Sequence, residues 1–146
     1  MDIKKIVLVG LVAEIVAFLV GNLLYLNPLA AGIYASASAS YCSKPMDPFG
    51  GIVPWLLLMF AGGIISSILL TLLYSFTEKN LDVKPDWKRG AFFGFLFWLA
   101  SGLPSAYNTW LLHSYPDAIV LLEAFNGLVG VLIAGAVIGI AYAKIK

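Results

Sequence analysis

The chain alternates long apolar runs with short polar ones. Apolar residues dominate 6–26, 52–76, 91–112 and 118–143, and each run reaches the roughly 20 residues that a helix needs to cross a bilayer. Between them lie a loop over 27–51, a polar segment over 77–90 and a short connection at 113–117. The pattern predicts an all-α membrane protein, a single domain over residues 1–146 with four transmembrane helices arranged as two hairpins.

Proline and glycine punctuate these runs. Asn27-Pro28 closes the first, because proline supplies no helical N–H. A cleavable signal peptide is the competing reading, since Ala35-Ser36-Ala37 and Ala37-Ser38-Ala39 resemble small-residue cleavage sites. Against it, the first run is too long for a signal core and carries Glu14. Bulky Tyr41 before Cys42 also makes a poor lipoprotein signal, so the run is expected to be a retained helix. The first half of the 27–51 loop, LAAGIYASASAS, is apolar enough to lie along the membrane surface or over the helix ends. Pro45, Pro48, Gly50 and Gly51 then give a turn-rich approach to the second span. In the third run, Pro104 within Ser101-Gly102-Leu103-Pro104-Ser105 predicts a kink.

Composition excludes an ordinary soluble domain. The chain is 61% hydrophobic with mean hydropathy +0.93, against roughly 45–50% apolar residues in soluble proteins. A net charge of +1 gives no electrostatic support for a nucleic-acid partner. The basic residues set orientation instead. Lys4, Lys5, Lys79, Lys84, Lys88, Arg89, Lys144 and Lys146 fall on one side of a four-span arrangement, and Lys44 alone on the other. The positive-inside rule then places both termini and the 77–90 segment in the cytoplasm, in a multi-pass protein of the cell membrane. Alternating acids and bases in EKNLDVKPDWKR are the pattern of a solvated loop.

Small residues mark where helices can approach. Gly62-Gly63 and Ser66-Ser67 form two overlapping small-xxx-small pairs, and Gly135-xxx-Gly139 is another. The halves of the chain are also faintly alike. Phe60-Ala-Gly-Gly-Ile parallels Phe125-Asn-Gly-Leu-Val, and Lys5 to Gly10 parallels Arg89 to Gly94. A duplicated hairpin and a chance likeness among glycine-rich helices are both open.

Two ionisable residues fall within the spans, Glu14 and Glu123. A charged group there costs roughly 2.5–3.5 kcal/mol and is a functional candidate by default. With about 1.5 Å of rise per residue, Glu14 lies near the mid-plane, level with Ser66, Ser67 and Ser101. It is a candidate proton site, able to share a proton with a serine hydroxyl. Glu123 lies about two turns inside the outer boundary, level with Asn22, Ser105 and Asn108, with Asn126 one turn along on the same face. If these faces converge they form an outer polar pocket beside the Pro104 kink. The bland alternative has both carboxyls protonated, donating interhelical hydrogen bonds that contribute about 0.6–2 kcal/mol each to packing.

Little else carries chemistry. His113, the one histidine, lies beside Tyr115 at the outer interface, and a metal or haem site needs more donors than that. Cys42 has no partner cysteine and reads as an incidental thiol. Phe92, Phe93, Phe95, Phe97 and Trp98 read as packing and lipid-facing side chains. With no nucleophile–base pair, phosphate loop or metalloprotease motif, no metal, cofactor or catalytic residue is expected and an enzyme is disfavoured.

The basic N-terminus, the glycine-punctuated first helix, the small-residue loop and the W-K-R-G-A-F-F-G-F-L-F-W-L segment opening the third helix form a recognisable pattern. So does the closing Asn126-Gly127 … Gly135 … Gly139-Ile-Ala-Tyr142. Together they resemble a family of four-helix integral membrane proteins of bacteria and archaea with no assigned activity. The resemblance implies a fold and carries no functional residue with it.

Three functions remain as expectations. The small-residue ridges on the second and fourth helices suggest a structural or accessory subunit of a membrane assembly, surrounded by lipid and associating with itself or with other subunits. The alternative is a small-solute or proton-coupled carrier using Glu123, Asn126, Asn108, Ser105, Asn22 and Glu14. A membrane-embedded enzyme or lipid-binding protein, with His113 and the 27–51 loop at its mouth, is third.

Overall fold

Asp2 starts the first helix by accepting the Lys5 N–H at 3.2 Å. In the computed structural model, which describes residues 2–36 and 47–145, α1 runs Ile3–Tyr25 and α2 Pro28–Ser36. α3 spans Ile52–Thr77, α4 Asp86–Phe97, α5 Leu103–Leu112 and α6 Asp117–Lys144. Cys42, Lys44, Lys146 and the 37–46 part of the expected loop lie outside the described residues.

α1, α6 and the helical stretch Ile52–Asn80 that contains α3 are each long and apolar enough to cross a membrane. The third apolar run is built differently. It is a composite rod in which one π turn, Trp98–Gly102, joins α4 to α5. Pro104 has no N–H to return to the carbonyl four residues back. The helix widens just before it, and the Leu103 N–H reaches the Trp98 carbonyl, five residues back. The kink expected at Pro104 is thus taken up as a π turn with helical dihedrals at both ends. α4 and α5, at 12 and 10 residues, are individually too short to span.

α1 packs between α3 and α6, and α6 packs between α1 and α4. The pairings run antiparallel. Along α1, Gly10 meets Ile68, Glu14 meets Ser67 and Phe18 meets Phe60. At the α1–α6 contact Lys5 meets Tyr142 and Tyr25 meets Glu123. α4 descends α6 the same way, Gly90 against Gly135 and Gly94 against Val131. These contacts bring the start of α1, the turn after α3 and the end of α6 to one end, where the basic residues collect.

The core sits at that basic end. Val9, Ala13, Leu70, Tyr74, Phe93, Ile138 and Ala141 form one buried cluster, flanked by Leu81, Phe97, Val137, Tyr142 and Ile145. Tyr74 is its centre, edge-on to Phe93 at 5.4 Å and to Tyr142 at 5.6 Å. Lys5 Nζ covers the Tyr142 ring at 4.2 Å, a cation–π contact at the mouth of the core. Arg89 ties down the preceding loop, bonding the Val83 carbonyl through Nε at 3.1 Å and Asp86 at 3.2 Å.

Four glycines set the α4–α6 distance. A Cβ on Gly90 would run into the Gly135 carbonyl, one on Gly94 into the Val131 carbonyl, and one on Gly139 into the Asp86 carbonyl. The two backbones therefore touch, the arrangement that small-xxx-small spacing permits. The Gly135–Gly139 ridge is consumed inside the chain by Gly90 and Gly94. Gly62 and Gly130 stay open, with nothing within 4 Å of where a Cβ would stand. Around the outside, Leu8, Leu19, Leu57, Leu58, Ile65, Leu111, Leu121 and Phe125 are exposed, giving an apolar jacket suited to lipid.

Candidate functional site

Away from the basic end the helices leave room. A cavity of about 480 Å³ opens between α2, the π turn, α5 and α6. Its polar lining comes from Tyr34, Ser101, Ser105, Thr109, Tyr115 and Glu123, and the Trp98 ring lies against it. Gly102, Ala106, Ala124 and Gly127 supply the space. The π turn matters here, because it sets position 102 against the Trp98 indole, where a Cβ would collide with the ring.

α2 reaches the cavity because of Asn27. Its Oδ1 accepts the Ala30 N–H at 3.0 Å, capping α2, while its Nδ2 donates to the Leu24 carbonyl at 2.6 Å, closing α1. Pro28 follows at the first helical position, where no N–H is needed. The chain thus turns at once, buries Ala30 fully and lays α2 against α6.

This turn delivers Tyr34 to Glu123. The Tyr34 hydroxyl donates to Glu123 Oε1 at 2.5 Å, and the Tyr25 hydroxyl, from the last turn of α1, donates to Oε2 at 3.4 Å. The first is a short, strong bond and the second lies at the long limit for an O–H···O contact. Burial, and then donation to the Glu123 carboxylate, push the Tyr34 phenol above the usual tyrosine range. Asn126, only 4% exposed, sits beside the Tyr25 hydroxyl, and its Nδ2 closes no hydrogen bond among the described residues.

The structure brings together part of the expected outer pocket. Glu123 and Ser105 line the cavity, and Asn126 joins through Tyr25, on the α1 side of α6. Asn22 does not line it and instead bonds its own helix, Nδ2 to the Phe18 carbonyl at 2.7 Å. Asn108 is exposed and outside the lining. Tyr25, Tyr34, Trp98, Thr109 and Tyr115 were not legible as site residues from spacing alone.

Glu14 forms a separate site. It is 6% exposed between α1 and α3 and accepts the Ser67 hydroxyl at 2.9 Å, the level expected for the pair. Ser67 in turn accepts Thr71 through its carbonyl at 2.8 Å. Ser101, expected at the same depth, lies across the molecule on the cavity wall, its hydroxyl on the Phe97 carbonyl at 2.8 Å.

His113 stacks on the ring of Tyr115, a lining residue, at 5.5 Å. Among the described residues no three of His, Cys, Asp and Glu gather into a group that could hold a metal ion. Comparison with protein-family models, curated proteins and solved structures finds no match. The site's own geometry therefore carries the functional reading.

Proposed function

We propose that the chain crosses the cell membrane four times, with the α4–π–α5 rod as the third span and the basic end, including both termini, in the cytoplasm. In this reading the cavity at the opposite end binds a small solute, as the outward-facing stage of a carrier. The observation that carries it is Glu123: an acid inside a span that lines an open cavity while Tyr34 from α2 holds one of its oxygens and Tyr25 from α1 lies near the other. A carboxyl kept only for packing needs no cavity, and intramembrane acids are too costly to be retained idly. Glu14 shows the contrast. It is sealed between two helices and bonded to Ser67, so it takes the packing role.

A second reading, an accessory subunit of a larger assembly, draws on α3. Gly62 is open there, Ser66 is exposed beside it, and Leu58, Met59, Ile65 and Leu69 surround them. The ridge on α6 no longer contributes, because α4 occupies it.

Native mass spectrometry of the protein gently extracted from its own membrane separates the two. The carrier reading expects a small bound molecule that disappears in Glu123→Gln. A defined complex with other subunits and no such molecule would contradict it and favour the accessory role.

A further inference from the structure

We propose that the cavity recognises an ammonium group, so that its ligand is an organic amine or quaternary ammonium compound. The inference rests on the reading of the cavity as a solute site and names the chemistry that site would select.

Charge points first. Among the described lining residues Glu123 is the only carboxylate, and none is Lys, Arg or His. An anionic ligand would meet Glu123 with nothing to offset it. A cation finds an opposite charge there instead. Glu123 is also oriented for the task. Tyr34 occupies Oε1 at 2.5 Å, whereas the Tyr25 bond to Oε2 is long at 3.4 Å, leaving Oε2 with acceptor capacity.

The remaining walls fit the same ligand. Trp98, Tyr34 and Tyr115 bring three aromatic rings to one cavity, and aromatic faces attract ammonium groups through their quadrupoles. Ser101 donates its proton to the Phe97 carbonyl, so its oxygen is left as an acceptor toward the cavity. Ser105 and Thr109 can also accept an ammonium N–H. A bare divalent ion fits the site less well. The space of about 480 Å³ falls in the range of small-molecule sites, and one carboxylate is too few ligands for a divalent cation. The ammonium can belong to a free amine or to the headgroup of an ethanolamine lipid.

The test uses the whole protein in dodecyl maltoside, a detergent with no ammonium group, and equilibrium dialysis against empty micelles. Benzylammonium, benzyl alcohol and benzoate share a ring and differ in charge. The expected order is benzylammonium bound about tenfold or more tighter than benzyl alcohol, with benzoate not bound. Glu123→Gln keeps an oxygen for Tyr34 and should remove the preference for benzylammonium over benzyl alcohol. Addition of phosphatidylethanolamine then identifies the source: displacement of benzylammonium marks a lipid headgroup, and no displacement marks a free amine. Equal binding of all three probes, or a cation preference that survives in Glu123→Gln, would overturn the ammonium assignment while keeping a solute site. Binding of none of the three would overturn the solute site itself. The comparison of probes on the unaltered protein stands even if Glu123→Gln does not fold.

Discussion

Gly63 of α3 stands where any side chain would overlap the carboxyl of Glu14 on α1. The missing Cβ is the notch that lets a buried acid reach Ser67 across the interface. Gly63→Ala should therefore act through Glu14. The carboxyl is the end of a flexible side chain and can swing aside, so the cost is the lost hydrogen bond, about 0.6–2 kcal/mol. Thermal unfolding in detergent checks this. In a Glu14→Gln background, where the amide still accepts from Ser67, the alanine should cost the same. In Glu14→Ala it should cost nothing, because the obstructed group is gone.

Gly90 faces an immovable neighbour. Its Cβ would strike the Gly135 carbonyl, and backbone cannot rotate away. Gly90→Ala and Gly135→Ala should each push α4 from α6 and destabilise by roughly 1–3 kcal/mol, more than Gly63→Ala. Gly130→Ala, where nothing lies close, should be neutral or stabilising by up to about 1 kcal/mol through helix propensity. The same unfolding assay ranks all four, and equal costs at positions 90 and 130 would contradict the backbone contact.

Tyr34 predicts a response to alkali. Its phenol is held above the usual range by burial and by donation to Glu123, so the folded protein keeps a proton that the unfolded chain releases near pH about 10. The stability this group supplies is full below that point and is lost as pH rises toward the folded value. Wild type should lose more thermal stability than Tyr34→Phe between pH about 8 and about 11. Parallel losses would show that the Tyr34 phenol is neither buried nor bonded to Glu123 in the folded protein.

The pattern of apolar runs anticipated the long helices because the runs are bounded by charges, by proline or, before Ile52, by Gly50-Gly51. Glu14 and Ser67 were also legible, since both depths follow from helical rise. The outer site was only half legible. Depth places Asn22, Asn108 and Ser105 on one level, but not on one side, and the rotation of each helix depends on packing. Asn22 turned back on its own helix, and Asn108 faces outward. Tyr34 was hidden because 27–51 reads as a loop. The signal was present in Asn27-Pro28, a capping residue followed by proline at the first helical position, which starts a helix as readily as it ends one. The π turn likewise follows from Pro104, although Pro104 alone does not say whether a helix will kink or widen.

The central claim is that the cavity faces the side opposite the basic residues. Ser105 is exposed on its wall, so Ser105→Cys in a Cys42→Ser background reports which side reaches it, with Lys79→Cys as the reference for the basic end. A membrane-impermeant maleimide applied outside intact cells should label Ser105→Cys and leave Lys79→Cys unlabelled until the membrane is opened. Labelling of Lys79→Cys from outside, with Ser105→Cys protected, would contradict the account.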